Sequence, residues 1–317
     1  HIYSELKNRQ GYIRLEDSAN GYFCNVLFES MYYALYVYTS DPEHELFVDN
    51  CEFRNNYIGL YSYNYAYEDQ RMMQDTLFDG NYYGVYYAYS FNIDNIIVQN
   101  TLYYAAYYLV DVKMSNSLIR GTYSSAGTTY PCFYLLIYAN NYAPYFVNNT
   151  IDDCYRSYLY NYQSDNTSVS YVAGNTFMNN YYALDYYHST SYGGEVVVEY
   201  NNFINNTYYN LYSRSYDEIL NVAYNYWGQG AVYDASIIAD TIYDVCDGSS
   251  YPAIAQFWPW LQAPYTDDSN LPDMYTIDAT TCSQVSTATA YIHTPLPTVS
   301  PTADPTTDPT PAPTTVP

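Results

Sequence analysis

The tetrapeptide Tyr32-Tyr33-Ala34-Leu35 begins the pattern that decides the fold: two aromatic or large residues, a small residue, then an aliphatic one. It returns as Tyr57-Ile58-Gly59-Leu60, Tyr82-Tyr83-Gly84-Val85, Tyr107-Tyr108-Leu109-Val110, Phe133-Tyr134-Leu135-Leu136, Ser157-Tyr158-Leu159, Tyr181-Tyr182-Ala183-Leu184 and Tyr208-Tyr209-Asn210-Leu211. The first residues of these copies are separated by 25, 25, 25, 26, 24, 24 and 27 residues. The chain is therefore an internal repeat with a period of about 25 residues.

A second set of apolar residues recurs upstream in each repeat, usually with Asn two positions earlier, as in Asn25/Leu27 and Asn175/Phe177. Asn accepts the left-handed backbone of a tight bend, and its amide can bond to equivalent residues above and below. We expect the apolar residues to form one interior column: Leu27, Phe53, Leu77, Leu102, Ile151, Phe177 and Phe203.

Short alternating apolar and polar runs separated by Asn, Asp and Gly at this period are typical of a parallel β-helix. The predicted fold is all-β, a solenoid of about eight to ten coils capped at both ends. Its predicted segments are an N-terminal cap or first coil (1–24), the β-helix (25–229), a closing segment and cap (230–293) and an extended tail (294–317). Two alternative folds fit less well. A leucine-rich repeat requires an LxxLxL pattern, which this sequence lacks, and a β-sandwich does not require the fixed period observed here.

The segment Asn221–Gly228, which ends in Asn-Tyr-Trp-Gly, resembles the closing turn of right-handed parallel β-helix proteins of the pectin-lyase-like superfold. The motifs that follow are similar too: Ile237-Ile238, Ile242-Tyr243-Asp244 and Phe257-Trp258-Pro259-Trp260-Leu261. This resemblance covers residues 25–262 and implies a right-handed helix with Trp258 and Trp260 in a cap over the last coil. It implies no single function, because that superfold includes lyases, hydrolases, adhesins and inert scaffolds.

The charge balance excludes several classes of partner. Only 9 Lys and Arg face 33 Asp and Glu, so the net charge of −24 repels nucleic-acid phosphates and anionic lipid. No apolar run is long enough to span a membrane. The chain begins at His1 without Met and without a signal peptide, and we expect a mature, secreted, extracellular protein.

The six cysteines are Cys24, Cys51, Cys132, Cys154, Cys246 and Cys282. The first two are 27 residues apart and the next two 22, both close to the repeat period, so disulfides between neighbouring coils are predicted. The last two would then fasten the C-terminal cap. Buried free thiols are the alternative. Disulfides would place the protein in an oxidising compartment.

A catalytic site has only weak candidates in this sequence. Polygalacturonase-like members of the superfold use clustered carboxylates with a nearby His and a basic residue, and the best match is Asp152, Asp153 and His188. Adjacent strand residues point to opposite faces, however, which separates the two carboxylates. The Gly-His-Gly and Arg-x-Lys elements are missing. We therefore predict a non-catalytic protein in which these residues form a solvated acidic patch.

No cofactor is predicted, although calcium remains open. Asp267 and Asp268 are an acidic pair that could supply oxygen ligands to Ca²⁺. The sequence contains neither an EF-hand loop nor a Gly-Gly-x-Gly-x-Asp repeat.

Tyrosine makes up 50 of the 317 residues, too many for the interior of a β-helix. Many must therefore stand outside in aromatic columns. A Tyr-rich surface is typical of interfaces, so we expect a partner, either further copies of the chain or glycans. Cross-coil stacking without a partner is the alternative.

The sequence offers two kinds of glycosylation site. Three N-glycosylation sequons begin at Asn148, Asn166 and Asn205. Residues 294–317 form a Pro/Thr-rich stalk typical of O-glycosylated linkers. Its composition resembles the Pro/Thr stretches of algal wall and flagellar-hair glycoproteins. The O-glycosylation candidates are Thr298, Ser300, Thr302, Thr306, Thr307, Thr310, Thr314 and Thr315.

Two functions follow from these features. The first is a structural subunit of an extracellular glycoprotein filament or coat, which assembles with itself through the Tyr-rich surfaces and the tail. The second is a carbohydrate-binding or carbohydrate-cleaving β-helix, or an adhesin. The first requires the aromatic surfaces to be covered by other copies, and the second requires an open groove or a free aromatic platform.

Overall fold

The computed structural model is an all-β parallel solenoid of about seven turns with almost no helix, consistent with a right-handed parallel β-helix. The predicted fold is thus confirmed, with slightly fewer turns than expected. The structure describes residues 11–16, 20–39, 44–63, 71–122, 129–138, 144–163, 169–188, 194–216, 219–228, 235–248, 250–266, 274–277, 284 and 291–293.

Three parallel sheets form the walls of the solenoid, and most coils contribute one strand to each sheet. Sheet A comprises Tyr12–Glu16, Tyr33–Tyr38, Ile58–Tyr63, Tyr83–Tyr89, Tyr104–Val110, Phe133–Ile137, Arg156–Asn161, Tyr182–His188, Tyr209–Ser215 and Ile242–Tyr243. Sheet B comprises Gly21–Cys24, Leu46–Asp49, Arg71–Gln74, Phe91–Asp94, Lys113–Ser115, Tyr145–Val147, Val169–Ala173 and Glu195–Glu199. Sheet C comprises Leu27–Glu29, Glu52–Arg54, Leu77–Asp79, Ile97–Gln99, Leu118–Arg120, Thr150–Asp152, Thr176–Met178 and Asn202–Ile204.

Tight bends join sheet B to sheet C and sheet C to sheet A. The first bend holds one left-handed residue per coil: Asn25, Asn50, Asp75, Asn95, Asn116, Asn148, Gly174, Tyr200 and Tyr224. The second bend does the same at Ser30, Asn55, Gly80, Asn100, Asp153, Asn179, Asn205 and Gly228. Gly, Asn and Asp tolerate this conformation better than other residues, which explains their recurrence and confirms the predicted left-handed conformation of Asn25. The same prediction is wrong for Asn175, because the left-handed residue of that coil is Gly174.

A continuous apolar column lines sheet C inside the solenoid. Its members are Phe28, Phe53, Phe78, Val98, Ile119, Ile151, Phe177 and Phe203. The Phe53 ring stacks on those of Phe28 and Phe78, each with centroids 4.5 Å apart and planes within 6°. Equivalent residues of successive coils therefore pack against one another and exclude water from the interior.

The predicted interior column was wrong at three positions. Leu27 is 51% exposed, Leu77 is half-buried and Leu102 is 37% exposed. Strand residues alternate between faces, so in the Leu-Phe pairs it is Phe28 and Phe78 that point inward. The inward residue lies three positions after the left-handed residue of the bend, a spacing the sequence pattern alone does not fix.

The coils also differ in length, which the 25-residue period concealed. Successive coils are offset by 25 residues at Asp49–Gln74, but by 20 at Leu77–Ile97 and 21 at Ile97–Leu118. The offset reaches 32 at Arg120–Asp152 and returns to 26 at Asn149–Asn175. Tyr104 rather than Tyr108 is therefore the partner of Tyr83, so the predicted alignment of Tyr107-Tyr108 with Tyr82-Tyr83 was wrong.

The short coils arise where sheet A joins sheet B. A single left-handed residue makes this connection at Ser90 (φ 53°) and is followed directly by the strand Phe91–Asp94. Asp111 (φ 50°) turns the chain in the same way after Val110. The two short coils are thus produced at this corner of the solenoid, whereas the long coil is lengthened between the strands Leu118–Arg120 of sheet C and Phe133–Ile137 of sheet A.

Buried asparagines bond coil to coil behind the first bend. The Nδ2 of Asn149 donates to the Oδ1 of Asn175 at 3.1 Å, and Asn175 donates to Asn201 at 2.9 Å. Asn201 continues the ladder to Asn225 at 3.0 Å. The backbone N–H of Asn175 also donates to the Asn201 Oδ1 at 3.0 Å. Each buried amide is therefore satisfied by the next coil, as polar groups in a core require.

The closing segment covers the C-terminal end of the stack. The Trp227 ring lies 4.7 Å from that of Phe203, and Phe257 lies beyond Trp227 at 6.4 Å. Trp258 and Trp260 are buried against Phe257, which confirms their predicted place in a cap. The segment also holds the helix Ala235–Ala239, the 3₁₀ turn Val245–Asp247, the strand Ile254–Gln256 beside Ile219–Asn221, and the antiparallel strands Trp260–Leu261, Met274–Thr276 and Tyr291–His293.

One predicted disulfide is confirmed. Cys132 and Cys154 are bridged, with Cα atoms 5.6 Å apart, and the bridge joins neighbouring coils. Cys246 is also disulfide-bonded, and Cys282, its predicted partner, lies outside the described residues.

The bridge predicted between Cys24 and Cys51 does not form, because both cysteines are free thiols. In the strand register Cys24 lies beside Asp49, whereas Cys51 comes after the next bend. Cys24 is exposed and Cys51 is buried. Burial raises the pKa of the Cys51 thiol, which donates to the Asp49 carbonyl at 3.2 Å.

The interior phenylalanine column predicts a difference in stability between substitutions at an inward-facing and an outward-facing residue of sheet C. Phe53→Ala should lower the free energy of unfolding by about 3–5 kcal/mol, because it leaves a cavity between two stacked rings. Leu27→Ala is the control and should cost under about 1 kcal/mol, because that side chain is already in solvent. Denaturant titration followed by circular dichroism measures both. Equal losses in the two variants would contradict the register described above.

Candidate functional site

The outer surface of sheet A is covered by tyrosines, and this surface is the main candidate site. Its half-buried members, which we call the tyrosine face, are Tyr33, Tyr36, Tyr61, Tyr63, Tyr83, Tyr86, Tyr87, Tyr89, Tyr104, Tyr107, Tyr108, Tyr134, Tyr158, Tyr160, Tyr182, Tyr187, Tyr209, Tyr212 and Tyr243. Sheet A has the longest strands, so its outward positions provide several columns side by side. Tyr38 and Tyr138 border this face and are exposed.

The rings of the tyrosine face stack along the solenoid axis. Tyr36 and Tyr61 have centroids 5.0 Å apart and planes within 6°, and Tyr212 and Tyr243 lie 4.7 Å apart within 5°. Stacking covers the ring faces. Where the rings are stacked, their edges and hydroxyl groups are therefore what this surface presents to its surroundings.

Several phenols of this surface have a raised pKa. Burial, followed by neighbouring tyrosines, raises the pKa of Tyr61 and of Tyr107. Burial likewise raises the pKa of Tyr162, next to the face, to about 12. The surface therefore carries hydroxyl donors and acceptors without adding to the negative charge of the chain.

One carboxylate interrupts the tyrosine columns. Asp185 occupies the position that Tyr158 and Tyr212 hold in the adjoining coils, and it is completely buried. Nε of Arg214 donates to its Oδ1 at 2.7 Å, and Nη1 of Arg156 lies 3.4 Å from its Oδ2. Burial raises the pKa of Asp185 to about 6, and the two guanidinium groups oppose that rise.

Aromatic rings enclose the two arginines of this cluster. The guanidinium carbon of Arg156 lies 4.0 Å from the centroid of the Tyr182 ring, and that of Arg214 lies 4.9 Å from the Tyr160 ring. The Nη2 of Arg214 donates to the Tyr160 hydroxyl at 2.5 Å. Cation–π contacts and the ion pairs thus hold five side chains in one arrangement. The cluster fixes the tyrosine face, and it offers no free nucleophile.

Sequence reasoning missed this cluster. Asp185, Arg156 and Arg214 were not among the residues that the sequence pattern singled out. The sequence did contain a signal, because in three successive coils a charged residue stands at an outward position where an adjoining coil has Tyr. Recognising that signal requires knowing which residues are aligned between neighbouring coils.

The predicted catalytic candidates do not come together. Asp152 ends a sheet C strand, where Nε of Arg120 donates to it at 2.9 Å and Asn179 donates at 2.9 Å. Asp153 is the left-handed residue of the following bend. His188 is buried at the far end of the sheet A strand Tyr182–His188, whose six steps span about 20 Å. Asp152 and Asp153 are thus separated as expected, but the predicted solvated acidic patch is wrong, because Asp152 and His188 are only 9% and 6% exposed.

The predicted modification and calcium sites are only partly described. Asn148 and Asn205 are exposed residues at left-handed bends, so both can be reached by solvent. Asn166, the calcium candidates Asp267 and Asp268, and the O-glycosylation candidates in 294–317 lie outside the described residues. Within the described part of the chain, no group of three or more His, Cys, Asp and Glu residues is placed to hold a metal ion.

Comparison of the chain with protein-family models, with curated proteins and with solved structures finds no match. In the part of the chain that the structure describes, no helix has the length and apolar character needed to cross a membrane.

The Asp185 cluster predicts an asymmetry between buried and exposed ion pairs. Asp185→Leu should destabilise the protein by about 3–5 kcal/mol, because two half-buried arginines lose their counter-ion. Arg120→Ala breaks the more exposed pair with Asp152 and should cost under about 1 kcal/mol. Denaturant unfolding measures both variants. A loss below 1 kcal/mol for Asp185→Leu would show that the cluster does not hold the face together.

Proposed function

We propose that this protein is a non-catalytic structural subunit of an extracellular glycoprotein filament or coat. In this proposal copies of the chain associate through the tyrosine face, and the Pro/Thr tail and attached glycans complete the assembly. The observation that carries the proposal is the set of packed tyrosine columns on the outer side of sheet A, with stacked rings at Tyr36–Tyr61, Tyr86–Tyr107 and Tyr212–Tyr243.

Preorganisation supports an interface at this face. A side chain that must be immobilised on binding costs about 0.5–1.5 kcal/mol of conformational free energy. The stacked rings of Tyr36, Tyr61, Tyr86 and Tyr107 are already held by their neighbours. Such rings offer apolar edges together with hydroxyl groups, a combination enriched in protein interfaces.

Charge distribution supports the same face. Two copies of a chain with net charge −24 repel each other over most of their surfaces. The strands of sheet A carry three arginines, Arg14, Arg156 and Arg214, against two acids, Glu16 and Asp185. Electrostatic repulsion between two copies of the chain is therefore weakest at sheet A.

Ring orientation distinguishes this proposal from carbohydrate binding. A sugar stacks on the open face of an aromatic ring, and along these columns the ring faces already lie against other tyrosines. Hydrogen bonding from ring edges suits a second protein surface better. Carbohydrate binding remains the alternative, with the hydroxyl groups as its ligands.

Paired lysine substitutions test the proposal. Tyr38→Lys/Tyr138→Lys places two cations at exposed positions bordering the tyrosine face, and Tyr22→Lys/Tyr171→Lys makes the same charge change at exposed positions of sheet B. Sedimentation velocity and negative-stain imaging of the full chain should show concentration-dependent filaments for the wild type and the sheet B variant. The sheet A variant should remain monomeric.

Equal assembly of both variants would contradict the tyrosine face as the interface. A wild type that stays monodisperse at every concentration and binds or cleaves a polysaccharide would replace the proposal with the alternative.

A further inference from the structure

One tyrosine pair is closer than the stacked pairs of the tyrosine face. The ring centroids of Tyr103 and Tyr130 are 3.8 Å apart with their planes tilted by 39°. Tyr130 is 42% exposed, whereas Tyr103 is half-buried. After burial, hydrogen bonding to Tyr130 is the largest cause that raises the pKa of the Tyr103 phenol. The two phenol rings are thus in contact, and the Tyr130 ring is open to solvent.

Tyr130 also ends a column of five rings. Tyr32, Tyr57 and Tyr82 stack at centroid distances of 4.8 and 5.0 Å, and Tyr82 lies 5.5 Å from Tyr103. A radical formed by one-electron oxidation of Tyr130 can therefore transfer to the neighbouring phenols of this column. If Tyr130 is then oxidised a second time, two radicals can lie on adjacent rings.

The pair lies where the repeat is least regular. The chain between Gly121 and Tyr130 contains the residues that lengthen this coil, and the offset to the next coil is 32 residues. Cys132, two residues after Tyr130, is bridged to Cys154 of the following coil. A covalent link from Tyr103 to Tyr130 would fasten the same segment to the preceding coil.

We propose that Tyr103 and Tyr130 are a site of oxidative phenol coupling, which joins two coils by a dityrosine bond. Each tyrosine loses one electron from its ring and one proton from its hydroxyl. The two phenoxyl radicals then form a bond between the carbons ortho to the hydroxyl groups, and each ortho hydrogen moves to oxygen. Hydrogen peroxide acting through a peroxidase is the oxidant, and it accepts the two electrons and two protons to give two molecules of water.

This inference does not rest on the proposed assembly, because the bond lies within one chain. The proposal predicts coupling at one specific pair of tyrosines, whereas general oxidation would modify any exposed tyrosine. Tyr171 is the matched control: it is 45% exposed and makes no ring contact within the described residues. Exposure alone would therefore make Tyr130 and Tyr171 equally reactive, and only geometry separates them.

The test is treatment of dilute, monomeric full-length protein with peroxidase and hydrogen peroxide. Peptide mapping by mass spectrometry should find a cross-linked peptide that joins Tyr103 to Tyr130, lighter by two hydrogen atoms than the sum of its parts. Tyr130→Phe, which keeps the ring and the fold, should lose this peptide and most of the dityrosine fluorescence. Tyr103→Phe should lose them as well, and Tyr171→Phe should retain both.

Three results would overturn the proposal. They are a wild type without the Tyr103–Tyr130 peptide, dityrosine that joins different chains only, and a fluorescence yield that falls with Tyr171→Phe but not with Tyr130→Phe. Circular dichroism of each variant before oxidation establishes that the compared proteins are folded.

Discussion

Backbone hydrogen bonds between one coil and the next are the interaction on which the rest of this protein depends. Each strand bonds to its counterpart in the adjoining coil, and the bends continue the pattern: the N–H of Asn50 donates to the carbonyl of Gln74 at 3.2 Å. This pairing fixes the vertical register. Equivalent residues then lie about 4.8 Å apart, which is the spacing at which flat side chains stack. Phenylalanine columns inside, asparagine ladders at the bends and tyrosine columns outside all follow from that one constraint.

The same constraint explains where the pattern fails. A column tolerates a different residue only if its neighbours compensate, and Asp185 is accommodated because Arg156 and Arg214 reach it from adjoining coils. The ends of the stack need the same compensation, because the last coil has no coil above it. At the C-terminal end Trp227 takes the place of the next phenylalanine by stacking on Phe203 at 4.7 Å. Departures from the repeat thus mark the places where a coil lacks a matching neighbour and other side chains make the contacts instead.

Much of the architecture could be predicted from the sequence. The period, the parallel solenoid, the bend asparagines, the tryptophan cap and the Cys132–Cys154 bridge were all accessible, because each leaves a repeated local signal. The inward residue was not, since Leu27-Phe28 and Leu77-Phe78 each contain two apolar residues and only the bend geometry chooses between them. Coil length was also hidden. In two coils a single residue, Ser90 or Asp111, makes the turn from sheet A to sheet B, and its left-handed conformation carries no strong sequence signal. The Asp185 cluster depends on contacts between coils, so no local pattern could assemble it.

The central claim is the register of one coil on the next, and an engineered disulfide measures it most directly. Tyr171 and Val197 are Cα partners on neighbouring strands of sheet B, and Glu199 lies two residues beyond Val197 on the same face. A disulfide requires Cα atoms within about 7 Å. Tyr171→Cys/Val197→Cys should therefore close a bridge within one chain under mild oxidation, detected by mass spectrometry and thiol titration, while Tyr171→Cys/Glu199→Cys should keep its two thiols. Closure of the second pair and not the first would contradict the register on which this account depends.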